Sequence, residues 1–163
     1  VTGIDMTQEQ LKKSNDLKKK HQFNNVEFKE GFIESLPFKN DSFDVVISNG
    51  VINLSAEKEK VFQEIARVLK KGGRMAISDI ITEKQLTENI SCDAKLWASC
   101  IGGAMQRDQY SQAIEKAGMQ VISIKENPQY QFLSKSTQGA SRDFGVKSIS
   151  LLAEKLNHTT LLR

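Results

Sequence analysis

Asp5 stands where a carboxylate can bind a ligand. It closes a short apolar stretch, Val1-Thr2-Gly3-Ile4, and a helix start, Met6-Thr7-Gln8-Glu9-Gln10, follows at once. A carboxylate at such a strand end suits the two ribose hydroxyls of a nucleoside cofactor, because charge-assisted hydrogen bonds are the stronger ones. The same side chain can instead charge the N-terminus of its own helix. Asn49 and Asp79 close two further apolar runs, and each can face a ligand or cap the next segment. Cys92 and Cys100 are the thiols available to a soft ligand. His21 and His158 stand in polar segments with no partner evident from their surroundings.

The elements that must position these residues alternate between strand and helix patterns. Thr7 and Gln10 have the spacing of a capping box, for a helix running to Lys20. Val26-Glu27-Phe28 reads as a short strand, and Phe32 to Pro37 as a loop. The run from Ser42 to Ser48 is rich in β-branched residues and suits a parallel strand buried on both faces. Ser55 is placed to cap the next helix, whose apolar face is Val61, Phe62, Ile65, Val68 and Leu69. Gly72-Gly73 is placed to end it, and Arg74 to Asp79 is the next strand. Gln85 to Ala104 reads as irregular helix, and Tyr110, Ala113, Ile114 and Ala117 mark another helix closed by Gly118. Val121 to Glu126 and Lys147 to Ala153 read as paired final strands, with an unassigned polar stretch between them. The alternation predicts a layered α/β sheet in a single domain over 1–163.

Composition narrows the functional classes. With 39% hydrophobic and 26% charged residues the chain reads as an ordinary globular domain. A net charge of +3 is too small to argue for nucleic acid, and the lysines between Lys12 and Lys20 read as a solvated helix face. No apolar run approaches the length of a membrane span. Two cysteines make no disulfide framework, so the expected setting is reducing and cytoplasmic.

Three segments taken together carry a specific resemblance. Val1-Thr2-Gly3-Ile4-Asp5-Met6-Thr7, Gly31-Phe32-Ile33-Glu34-Ser35-Leu36-Pro37-Phe38 and Asp44-Val45-Val46-Ile47-Ser48-Asn49 resemble the class I S-adenosylmethionine (SAM) methyltransferases. Gly50 to Ser55, Arg67 to Arg74 and Ile77-Ser78-Asp79 are similar to the arsenite methyltransferase branch. The resemblance implies a Rossmann-like sheet, mostly parallel, with an antiparallel C-terminal strand. It also implies that the sequence starts at the second strand of that fold, without the first strand and its glycine-rich loop. The expectation is therefore an N-terminally truncated methyltransferase domain. The two strands flanking the gap would pair directly, or a second copy would fill it, giving a homodimer through exposed or swapped strands.

The resemblance also assigns roles. Asp5 would take the ribose hydroxyls and Met6 one adenine face, where a polarizable thioether packs well. Ile33 and Glu34 would meet the adenine edge, and Asn49 would stand beside the methyl-donor sulfonium. Met6 as ordinary core, Glu34 as a solvated loop residue and Asn49 as a turn cap stay open beside these roles. The acceptor would be a small molecule. Arsenite is thiophilic, and the family holds it on convergent thiolates. One of those cysteine positions matches Gly50, which has no side chain to offer, and another matches Cys100, the candidate acceptor thiol. Cys92 lies eight residues from Cys100, about 80° away around an ideal helix. The alternatives are a non-catalytic nucleoside-binding or assembly module, and a thiol-based metalloid-binding protein.

Overall fold

The computed structural model describes residues 1–157, so His158 lies outside the described residues. In chain order the elements begin with β1 (Thr2–Asp5), α1 (Gln8–Lys20), β2 (Glu27–Glu30), β3 (Phe43–Asn49) and α2 (Lys58–Val68). They continue with β4 (Leu69–Thr82), α3 (Glu88–Ser91), α4 (Ala94–Ala98), β5 (Met105–Gln106) and α5 (Arg107–Lys116). The last three are β6 (Met119–Glu126), α6 (Lys135–Phe144) and β7 (Lys147–Lys155). The polar stretch left unassigned above thus contains a helix, α6, which Ser134 caps by accepting the Thr137 N–H.

The main sheet has the order β3-β4-β7-β6, with β5 attached to β4. β3 and β5 run parallel to β4, whereas β7 is antiparallel to both β4 and β6. This is the layered α/β sheet that the sequence implies, antiparallel C-terminal strand included. α2 and α5 pack on it through Phe62 and Tyr110, whose rings meet edge to face at 5.2 Å. Leu69, Met75, Met119 and Ile149 are buried against them, with Ile114 of α5.

β1 and β2 form a separate parallel pair. Direct pairing of β1 with β3 does not occur. Between them lies a cavity of about 630 Å³, walled by Gly3 and Ile4 on one side and Val45, Ile47 and Asn49 on the other. Ile33, Leu36, Ile65 and Val68 also line it. β3 is therefore an edge strand rather than one buried on both faces: Val45 is 55% and Ile47 75% exposed.

Three local expectations change for physical reasons. Thr7 makes no side-chain cap on α1; its own N–H is taken by the Asp5 carboxylate at 2.8 Å. Ser55 lies before the first turn of α2, and its hydroxyl accepts the Glu57 N–H while donating to Glu34. Gly72-Gly73 does not end α2, because Leu69 is drawn into the core and the chain turns extended there. The glycines form a bulge: Phe43 pairs Leu69 but Val45 pairs Arg74. Gly72 sits at φ +70°, and a Cβ at Gly73 would stand 2.7 Å from the Lys70 carbonyl.

Candidate functional site

The carboxyl ends of β1, β3 and β4 carry most of the residues singled out above. Asp5 ends β1, half-buried. One of its oxygens accepts the Thr7 N–H, and the other makes no hydrogen bond among the described residues. Met6 is 64% exposed, which removes the reading that it is ordinary core. Ile33 packs partly against the main core and lines the cavity. Glu34 is half-buried and bonded to the Ser55 hydroxyl, so it is not a freely solvated loop residue. Asn49 is exposed at the end of β3, and its amide makes no hydrogen bond among the described residues, which argues against a turn cap.

The loop carrying Ile33 and Glu34 is held by α2. Arg67 donates to the carbonyls of Phe38 at 2.7 Å and Leu36 at 2.9 Å, and pairs with Glu64 at 2.7 Å. Glu64 in turn accepts the Leu36 N–H at 2.7 Å. The Arg67 hydrogen bond holds the Glu64 carboxyl below its ordinary range, against the opposing effect of burial.

Cys100 lies on the other side of Asn49. It follows α4 with a left-handed backbone, φ +61°, a strained state for a residue with a side chain. Its thiol donates to the Gly50 carbonyl at 3.1 Å, so the two positions matched to thiols in the resemblance are neighbours in space. Gly50 is itself left-handed, φ +65°, and a Cβ there would meet nothing within 4 Å. Cys92 is exposed, and the helix that would have related it to Cys100 is broken at Asp93, which caps α4. Among the described residues no three His, Cys, Asp or Glu side chains converge as a metal site.

Behind Cys100 is a buried polar cluster that sequence reasoning found only in part. Asp79 accepts from the Asn53 amide at 2.8 Å, the Ile80 N–H at 2.8 Å and the Tyr110 hydroxyl at 3.2 Å. Burial raises its pKa above the ordinary carboxylate value, against these hydrogen bonds and the charge of Lys58. Burial lowers the Lys58 ammonium, while Asp79 and Cys100 pull it back. Burial and the Asp79 charge raise the Cys100 thiol, and Lys58 opposes them. Asp79 had a signal in closing the apolar run from Arg74, although β4 continues past it to Thr82. Tyr110 read as one more apolar helix position, and Lys58 drew no reading at all. Only folding brings them together.

The donor set fits the nucleoside half of SAM: a carboxylate with an unused oxygen, an exposed thioether and an apolar wall at Ile33. The fold is that of the Rossmann-like class I methyltransferases. An arsenic(III) S-adenosylmethionine methyltransferase from Chlamydomonas reinhardtii superposes with a TM-score of 0.75 at 28% identity, over 96% of this chain and 55% of that one. The model of a methyltransferase domain family matches residues 1–118, and the chain belongs to that family. It is similar to the arsenite methyltransferase of Halobacterium salinarum, 36% identical over 94% of this chain and 39% of the relative. It is also similar to the human arsenite methyltransferase, 41% identical over 72% of this chain and 34% of the relative. The chain thus spans little more than a third of these relatives. No helix among the described residues is long and apolar enough to cross a membrane.

Proposed function

We propose that this chain is the SAM-dependent methyltransferase domain of a protein acting on a small thiophilic acceptor, of the kind the arsenite methyltransferases use. The observation that carries the reading is the Cys100 thiol 3.1 Å from the Gly50 carbonyl, one residue past Asn49. A nucleophile held there stands at the carboxyl end of β3, where sheets of this kind bind ligands. Bound SAM supplies a methyl group activated by a sulfonium. Asp5 and Met6 hold the nucleoside, Ile33 and Glu34 close over its edge, and Asn49 borders the reacting end. Glu34 meets the cofactor only by sharing its carboxylate with Ser55 or leaving it. Catalysis comes from orientation, and the chain needs no general base for an acceptor that already carries a lone pair. We assign the working location to the cytoplasm, where thiols stay reduced.

The test is calorimetric titration of SAM and S-adenosylhomocysteine into the chain, with Asp5→Ala as control. Binding that weakens about tenfold or more in the variant fits the loss of charge-assisted hydrogen bonds to the ribose and supports the reading. Binding that ignores the substitution removes Asp5 from the site. Absence of binding by the unsubstituted chain favours the non-catalytic assembly module.

A further inference from the structure

Lys58 is a buried charge that the roles above leave unused. It is 8% exposed although it opens an amphipathic helix between two exposed glutamates. Its ammonium donates to the Ser55 carbonyl at 2.7 Å and lies 5.9 Å from the centre of the Trp97 ring. An ammonium has three donors, and among the described residues this is its one hydrogen bond. It forms no ion pair among them either. A buried cation with spare donors is costly unless something answers it.

One further observation points to a ligand. Asn53 is fully buried and its Oδ1 has no partner among the described residues, although its Nδ2 is bonded to Asp79. Gly103 lets the backbone at Asn53 pack against it beside the ammonium: a Cβ there would collide with the Asn53 carbonyl and would sit 3.4 Å from Lys58 Nζ. On the side of Gly50 the space next to the Cys100 thiol is open.

We propose that Lys58 is a second holding point for the methyl acceptor: a soft atom attached to Cys100 keeps an oxygen, as hydroxyl or oxyanion, and the Lys58 ammonium donates to that oxygen. The proposal rests on the methyltransferase reading and narrows its acceptor to compounds that retain oxygen on the soft atom. With a hydroxylated arsenic(III) compound, the Cys100 sulfur forms an S–As bond and one As–O bond breaks. The thiol proton leaves with the hydroxide as water. A second hydroxyl stays on arsenic and accepts from Lys58. A cysteine at position 50 would displace that hydroxyl; a glycine leaves it in place.

The experiment uses the full chain in a Cys92→Ser background, with two probes. Phenylarsine oxide carries two hydroxyls on arsenic in water, whereas methylmercury is thiophilic and keeps no oxygen once bound to a thiol. Calorimetry and Trp97 fluorescence read the affinities. Lys58→Met is expected to weaken phenylarsine oxide roughly tenfold, the loss of one hydrogen bond to a charged group, and to leave methylmercury within about twofold. Lys58→Arg keeps part of the affinity. Equal weakening for both probes, or none for either, overturns the proposal. If Lys58→Met melts before it can be assayed, Lys58→Ala, which also lacks a donor, is read by the same two outcomes. Phenylarsine oxide binding that survives Cys100→Ser removes the thiol reading itself, and the Lys58 role with it.

Discussion

At the scale of single residues, Gly50 decides what the acceptor site can hold. Its backbone is left-handed and its Cβ direction is empty, while its carbonyl already touches the Cys100 thiol. A thiol grafted there has room beside Cys100. Gly50→Cys is therefore expected to tighten arsenite binding by at least about tenfold, since a second thiolate replaces a hydroxyl on a soft atom. The same change is expected to cost about 1–2 kcal/mol of stability, because a residue with a Cβ is strained at φ +65°. Titration of arsenite and a thermal melt on one preparation check both expectations. Tighter binding without Cys100, in the Cys100→Ser background, would show that the two positions do not act together.

At the scale of elements, α2 both anchors the core and aims the loop of Ile33 and Glu34. Phe62 is fully buried against Tyr110. Phe62→Ala is expected to cost about 3–5 kcal/mol, read as a shift in the denaturation midpoint. The Arg67–Glu64 clamp gives a pH dependence. The folded pKa of Glu64 lies below its ordinary value of 4.5, chiefly through the Arg67 hydrogen bond. Its stabilising contribution is then present above pH 4.5 and is lost as pH falls through the depressed value. Melting temperatures of the unsubstituted chain and Glu64→Gln should therefore converge on acidification below that point. A gap that stays constant would mean the ion pair does not tie the loop down.

This helix also shows what the sequence makes legible. Val61, Phe62, Ile65 and Val68 announce its buried face at helical spacing, and all four are buried. Asp5, Asn49 and Asp79 stood out because a polar residue ending an apolar run is visible in the local pattern, although each also had a capping or helix-charge explanation. Lys58 did not, because a lysine among glutamates is what a solvated turn looks like. Its burial depends on Trp97, Cys100 and Gly103, which are distant in the chain. The glycine pair at 72–73 misled for a similar reason. Its local pattern suits a helix end, and only pairing with β3 turns it into a bulge.

At the scale of the whole molecule the dominant feature is the open seam between β1 and β3. Val45 and Ile47 face it from an edge that pairs with β4 on one side only. An exposed edge with β-branched side chains is a template for another strand. β1 and β3 each run parallel to their other neighbour, so a single extended segment parallel to both would complete the sheet. Taken by itself, this chain is expected to meet that need with a second copy and to self-associate at micromolar concentration. Light scattering after size-exclusion chromatography reads the mass directly. Ile47→Lys, on a side chain 75% exposed that lines the seam, is expected to shift the chain to monomer without lowering its melting temperature. Charged residues on an edge are the usual means of blocking such pairing. A monomer before the substitution would mean that the seam stays open in solution, and cofactor affinity would then depend on a strand supplied by another polypeptide. That case has its own signature. Adding an extended, β-branched peptide should raise SAM affinity in the unsubstituted chain, and Ile47→Lys should abolish the gain.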